Sequence, residues 1–224
     1  AFKLPEDVSY EEASTLDCIA VAVHAAKLSG LKGGETVAVL GAGTIGLLTM
    51  QTVKAFGAGS VFETGTYDFQ VKLAKELGAD AAINVKKEDL VEKMRALTGV
   101  EAIGGQEVPR GVDQVFEAIG GPKGTLEDAL RAVRRGGVIT VIGNPKNPVK
   151  LSSFVMREIK IIGSSSYAYY DQKPEFQIAL DLLAHGKVNA KKIITHTFSL
   201  DKIKEAFDVA SDKGTGCIKV IIEP

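Results

Sequence analysis

The chain has 224 residues, of which 45% are hydrophobic and 25% charged, with 27 Lys and Arg against 28 Asp and Glu. That length supports one good core and a small appendage, and the balanced charge leaves no basic cluster for a nucleic acid or an anionic membrane. No apolar run approaches transmembrane length. The two cysteines, Cys18 and Cys217, are too isolated for a disulfide framework, which fits a reducing cytoplasm.

The first residues carry neither an initiator Met nor a signal-peptide pattern and read as the middle of a longer chain. An amphipathic helix is expected over 10–28, where Leu16, Ile19, Ala20 and Val23 recur at helical spacing. The apolar run 36–40 then reads as a strand that feeds directly into GAGTIG, residues 41–46, and an amphipathic helix over 44–56. A G-x-G-x-x-G that closes a strand and opens a helix is a dinucleotide fingerprint, and each glycine has its own task. Gly41 makes the tight turn, Gly43 admits the pyrophosphate and Gly46 allows close helix packing. With Thr44 and Ile45, they place unpaired backbone N–H groups and the positive end of a helix dipole at the phosphates.

Further strands are expected at 60–64, 81–84, 112–117, 137–143 and 159–163, alternating with helices at 69–77, 88–97, 124–134 and 174–184. The rhythm predicts an α/β fold, a doubly wound six-stranded parallel sheet of Rossmann type with right-handed crossovers. The glycine-rich polar stretch 98–111 reads as a surface loop. Beyond the sheet, 193–198, 200–210 and 216–222 read as strand, helix and strand, too little for a core of their own and so remnants of a second, β-rich domain. The expected division is a lead-in helix region, 1–30, a dinucleotide-binding domain, 31–188, and a C-terminal part, 189–224.

Cofactor choice is normally set at the end of the second strand, where an acid binds the adenosine ribose. Gly65 occupies that place, followed by Thr66 and Tyr67. Glycine leaves room for a 2′-phosphate that a carboxylate would repel, and exposes backbone N–H groups beside a threonine hydroxyl, so NADP is favoured over NAD. Lys86 is the nearest cation in sequence, no arginine being at hand, and Glu63 lies two residues too far inside the strand to serve as the ribose acid. The nicotinamide would lie over later strand ends, at Ala118 and Ile119, Gly143 and Asn144, and Ser164 and Ser165.

Catalytic groups are sparse. His24, His185 and His196 lie far apart and form no metal-ligand spacing, and His24 on an apolar helix face reads as a packing residue. There is no G-x-S-x-G and no Cys–His arrangement, and the hydroxyls of residues 164–166 have no adjacent base, which argues against a hydrolase.

Six segments resemble, in order, the medium-chain dehydrogenase/reductase family of zinc-dependent alcohol, polyol and threonine dehydrogenase type. They are LPEDVSYEEASTLDCIAVAVHAA, LKGGETVAVLGAGTIGLLTMQTVKAFGA, KELGADAAINVK, GVDQVFEAIGG, LRAVRRGGVITVIG and ITHTFSLDKIKEAFDVASDKGTGCIKVII. The resemblance implies hydride transfer between a small alcohol or carbonyl substrate and nicotinamide, with a zinc ion stabilising the alkoxide. It also implies an N-terminal catalytic domain, carrying most zinc ligands, that is not in this chain. Asp17 matches a family metal-ligand position but alone should hold no zinc, which prefers four ligands. The chain is thus expected to bind cofactor without turnover and to belong to a homo-oligomer paired through the strand 159–163. The alternatives are a non-catalytic NAD(P) sensor and a zinc-free oxidoreductase like the quinone reductases.

Overall fold

In the computed structural model, which describes residues 2–103, 105–121, 124–146, 148, 154–168 and 173–223, a short helix α1 (Tyr10–Ala13) precedes the longer α2 (Leu16–Ser29). The first α/β unit follows as β1 (Thr36–Leu40), α3 (Thr44–Ala55), β2 (Ser60–Gly65), α4 (Asp68–Glu76) and β3 (Ala81–Asn84). Helix α5 (Leu90–Thr98) leads to a hairpin of β4 (Val100–Ile103) and β5 (Gln106–Pro109). The second half comprises β6 (Val112–Glu117), α6 (Thr125–Ala132), β7 (Val133–Val141), β8 (Lys160–Gly163) and α7 (Glu175–Ala184). A tail of β9 (Ile194–Ser199), α8 (Ile203–Ser211) and β10 (Lys219–Glu223) follows.

Six strands form the expected parallel sheet in the order β3-β2-β1-β6-β7-β8. The chain works outward from β1 to β3, then returns to the other side of β1, so the winding direction reverses between β1 and β6. Val37, Ala38, Val39 and Leu40 are all buried, because helices cover both faces of the sheet. Ala38, Leu40, Phe62 and Ile139 pack on one face with Met94 of α5 and Leu130 of α6. Val37, Val39 and Val61 pack on the other with Met50 and Val53 of α3. Helix α2 packs on both α3 and α7, and Ile19, Val23, Leu47, Leu180, Ile193 and Ile218 share one apolar cluster that joins the lead-in helix and the tail to the central unit.

Three local expectations change. The single helix over 10–28 is two, because the Ser14 and Thr15 hydroxyls donate back to the carbonyls of Glu11 and Glu12 at 2.6 and 2.7 Å and close α1 after one turn. The stretch 98–111, read as a loop, contains the antiparallel pair β4–β5; Gly99 reverses the chain at φ 76°, and the Thr98 hydroxyl accepts from the Gly111 amide at 3.1 Å to tie the hairpin's base. Helix 124–134 ends at Ala132, where β7 begins at once, because Arg134 is drawn to Asp113 at 2.6 Å and Gly136 turns at φ 70°. At its far end β7 stops at Val141, and the Ile142 and Gly143 amides bond the Glu117 carbonyl.

The tail strands β9 and β10 pair in parallel with each other. A two-stranded sheet is marginal alone. This one is anchored by Ile193 and Ile218 in the core cluster and by the Thr44 hydroxyl, which donates to the Ile218 carbonyl at 2.9 Å.

Candidate functional site

Ligands of open α/β sheets bind outside the carboxyl ends of the strands where the winding reverses. Here that point is the crevice between the ends of β1 and β6, and it holds a groove of about 330 Å³. Its floor is the glycine turn. Gly41 adopts φ 111°, its amide pointing to the Thr64 carbonyl and hydroxyl at 3.2 and 3.1 Å, while the Ala42 amide donates to the same carbonyl at 2.7 Å. The turn is thereby pinned to the end of β2.

The three glycines stand in three different settings. A β-carbon on Gly41 would stand 2.4 Å from Ile119 Cγ1, in a backbone conformation that side chains rarely adopt. On Gly46 it would stand 1.9 Å from the Gly41 carbonyl oxygen, so only glycine lets α3 start this close to the turn. On Gly43, the extended residue before α3, it would meet nothing within 4 Å and would project into open space at the helix N-terminus. Thr44 and Ile45 occupy the first turn of α3, whose N–H groups and dipole favour an anion.

Of the residues expected to bind cofactor, Gly41, Gly43, Gly65, Thr66, Ala118 and Ile119 line this groove together. The Thr44 hydroxyl instead donates to the Ile218 carbonyl. The amides of Thr66 and Tyr67, expected to be open beside Gly65, both donate to Gln70 Oε1, at 3.0 and 3.2 Å. Sequence reading missed this because Gln70 acts as a local cap from the first turn of α4. Lys86 lies with its ammonium 4.4 Å from the Tyr67 ring centroid, a cation–π contact between two residues that do not line the groove. Glu63 is fully buried behind the turn, both carboxylate oxygens without a hydrogen-bond partner among the described residues. Burial pushes its carboxyl well above the usual range, against the weaker pull of the Thr64 amide.

The later strand ends are stitched into one rim. Glu117 Oε1 accepts from the Ile119 and Gly120 amides at 2.9 and 2.8 Å, and the Gly121 amide donates to the Asn144 carbonyl at 2.8 Å. A β-carbon on Gly143 would stand 2.4 Å from the Gly120 nitrogen, so the loops after β6 and β7 touch backbone to backbone. The Ser164 amide donates to the Val141 carbonyl at 2.8 Å, which brings Ser164 and Ser165 beside them. Among the groove residues that escaped the sequence reading are Thr125 and Asp128 on α6, and Lys213 in the tail. The first two follow from the rule that each strand end faces the next helix start; Lys213 has no local signal.

The histidines assemble no catalytic group. His24 Nδ1 lies 2.9 Å from Glu175 Oε2 in a buried pair between α2 and α7, as a packing residue would. His185 caps the end of α7 with Nδ1 2.7 Å from the Asp181 carbonyl, and His196 is half-buried on β9. Asp17 is exposed in the first turn of α2. Burial, and then the charge of Asp17, push the neighbouring Cys18 thiol up to about 11, far from a metal-binding thiolate. Among the described residues no three His, Cys, Asp or Glu side chains come together to hold a metal. Asp17 therefore does not form a zinc site with them.

The fold and the crevice define a doubly wound α/β unit of Rossmann type. Residues 44–185 match the family model for zinc-binding dehydrogenases, and the chain belongs to that family, within the medium-chain dehydrogenases/reductases. Sorbitol dehydrogenase of Bacillus subtilis is 33% identical over 226 residues, which is 100% of this chain and 60% of that protein. A zinc-binding dehydrogenase structure from Sinorhizobium meliloti 1021, bound to NADP, superposes with a TM-score of 0.83 at 31% identity, over 100% of this chain and 62% of its own. A short chain alcohol dehydrogenase of Escherichia coli CFT073, in complex with NADH, gives a TM-score of 0.85 at 26% identity, over 100% and 62%. The chain thus spans about three fifths of the length of the relatives it matches.

Proposed function

We propose that this chain is the cofactor-binding part of a dehydrogenase that transfers hydride between an alcohol or polyol and a nicotinamide dinucleotide, with the diphosphate over Gly43 and the start of α3. The observation that carries this is the open space in front of Gly43: a donor-rich helix N-terminus, beside a groove, with no side chain where a phosphate would sit. The groove walls at Gly65 and Thr66 would take the adenosine ribose, and the rim from Ala118 and Ile119 through Gly143 and Asn144 to Ser164 and Ser165 would take the nicotinamide end. In the same reading residues 31–188 form the binding domain, led in by 1–30, while 189–224 belong with a catalytic domain. Subunits pair through the edge strand β8 in a cytoplasmic homo-oligomer.

NADP is favoured over NAD in this proposal because the end of β2 offers Gly65 in place of an acid. The occupied amides of Thr66 and Tyr67 move the weight of a 2′-phosphate site onto cations such as Lys86. Fluorescence titration of the chain with NADPH and NADH tests both levels. Tighter NADPH binding supports the full reading, tighter NADH binding removes the NADP preference, and binding of neither removes the function.

A second reading, a sensor that binds NAD(P) without chemistry, is favoured by the lack of an assembled metal-ligand group among the described residues. Oxidation of sorbitol or a simple secondary alcohol by the product of the whole coding region separates the two. Turnover with bound zinc supports the dehydrogenase.

A further inference from the structure

The adenosine half of the groove is walled on one side by β2 and on the other by α6, and neither wall brings a strong cation to it: Lys86, over the Tyr67 ring, is not among the lining residues. The C-terminal tail supplies one. Lys213 lines the same groove as Gly43 and Gly65, although it lies in a separate short turn, a 3-10 helix (Lys213–Thr215), between α8 and β10. That turn is fixed twice over. Asp212 Oδ1 accepts from the Gly214 amide at 2.8 Å, the Asp212 carbonyl accepts from the Thr215 hydroxyl at 2.6 Å, and Gly216 closes the turn at φ 82°. Five residues beyond Lys213, the Ile218 carbonyl accepts from the Thr44 hydroxyl at the first residue of α3, so the tail is tied to the helix that starts at the glycine turn.

We propose that Lys213 is a cofactor-phosphate residue: its ammonium meets a phosphate on the adenosine side of the bound dinucleotide, so that the tail completes the nucleotide site. Lys213 is exposed and makes no ion pair with the described residues, which leaves its charge available to a ligand. A second feature of the groove points to a ligand independently. Thr125, at the start of α6, lines it while only 4% exposed, and its hydroxyl has no partner among the described residues. Asp128, the acid on that wall, does not cancel the site. It has a cation of its own, Arg131 Nη1, at 3.9 Å.

The phosphate could be the diphosphate bridge, shared by both cofactors, or the 2′-phosphate, present only in NADP. Titration of the wild-type chain and of Lys213→Gln with NADPH and NADH separates them. About a tenfold loss for both cofactors assigns Lys213 to the diphosphate, a loss of that size for NADPH alone assigns it to the 2′-phosphate, and Lys213→Arg should restore most of the affinity in either case. Unchanged affinities in Lys213→Gln, with wild-type binding intact, overturn the proposal. The inference rests on the dinucleotide reading, so a wild-type chain that binds neither cofactor overturns both. The thermal midpoint of Lys213→Gln should match wild type, since the hydrogen bonds that hold the turn come from Asp212 and the backbone.

Discussion

Glu63 Oε1 lies 3.3 Å from the point that a β-carbon on Gly46 would occupy, and the Gly41 carbonyl oxygen lies 1.9 Å from the same point. The first turn of α3 is therefore held against both the glycine turn and a buried carboxyl. Gly46→Ala forces a backbone carbonyl to move, which outweighs the helix propensity that alanine adds. The expected result is a loss of about 1–3 kcal/mol in urea denaturation, together with at least tenfold weaker binding of the preferred dinucleotide. A stable variant with normal binding would show that the turn is not locked in this way.

Gly43→Ala should behave in the opposite manner. The site has an extended backbone, φ −92° and ψ −169°, that any residue adopts, and nothing stands within 4 Å of the new methyl. Stability should stay within about 0.5 kcal/mol of wild type, as for surface changes. Cofactor affinity should nevertheless fall about tenfold or more, because the methyl takes the volume assigned to the diphosphate. Equal loss of stability and binding would contradict the separate roles of the two glycines.

The buried Glu63 makes stability depend on pH. Its folded-state carboxyl titrates well above the ordinary value of 4.5, so between those limits the unfolded chain releases a proton that the folded chain keeps. This contribution to stability is undiminished below about 4.5 and is lost as the pH rises toward the folded value. Glu63→Gln keeps the shape and removes the titration. Relative to wild type it should gain stability progressively as the pH rises above about 4.5, measured as the change in the variant-minus-wild-type difference by denaturant titration. Taking the difference cancels the other carboxyls, and a difference that stays flat with pH would refute the assignment.

Much of this was legible in the chain. All six strands of the main sheet were, because strands covered on both faces must be nearly continuous apolar runs, and Val37 to Leu40 form one. The glycine turn was legible because its demands are local: a positive φ, a close approach, an open face. What escaped depends on partners distant in sequence or on side chains bonding their own backbone. Gln70 takes the amides that Gly65 seemed to leave open, Ser14 and Thr15 break a helix that periodicity joined, and Lys213 lines the groove from a tail whose Ile218 carbonyl is bonded to Thr44. Glu63, too far inside β2 in the sequence to serve the ribose, faces Gly46 at the start of α3.

Asp113 registers three strands at once. Its Oδ2 accepts from the amide and hydroxyl of Thr36 on β1 at 2.8 and 2.6 Å, and its Oδ1 meets Arg134 Nε on β7 at 2.6 Å. Burial works against the charge, but the hydrogen bonds from Thr36 and Arg134 outweigh it and hold the carboxyl below its ordinary value of 3.8. Its contribution is therefore complete above that ordinary value and is lost as the pH falls through the lower folded one. Asp113→Ala should cost about 2 kcal/mol at pH 7, with a smaller cost at pH 3, in denaturant titrations at the two values. A cost that grows on acidification would reverse the sign and refute the pairing.

Gly65→Asp tests the wall that sets cofactor choice. The new β-carbon would stand 3.1 Å from Gln70 Cβ and 3.4 Å from Ala42 Cβ, tight enough that Gln70 must shift by a few tenths of an ångström. Its carboxylate would then compete with Gln70 Oε1 for the Thr66 and Tyr67 amides and place a negative charge where a 2′-phosphate would lie. The expected outcome is at least tenfold weaker NADPH binding, about 1.4 kcal/mol, with NADH binding held or improved because the carboxylate can accept from the ribose hydroxyls. Gly65→Ala, which carries the same β-carbon without the charge, separates crowding from repulsion. If alanine weakens both cofactors and aspartate discriminates no further, the end of β2 acts by packing alone and the preference for NADP does not originate at Gly65.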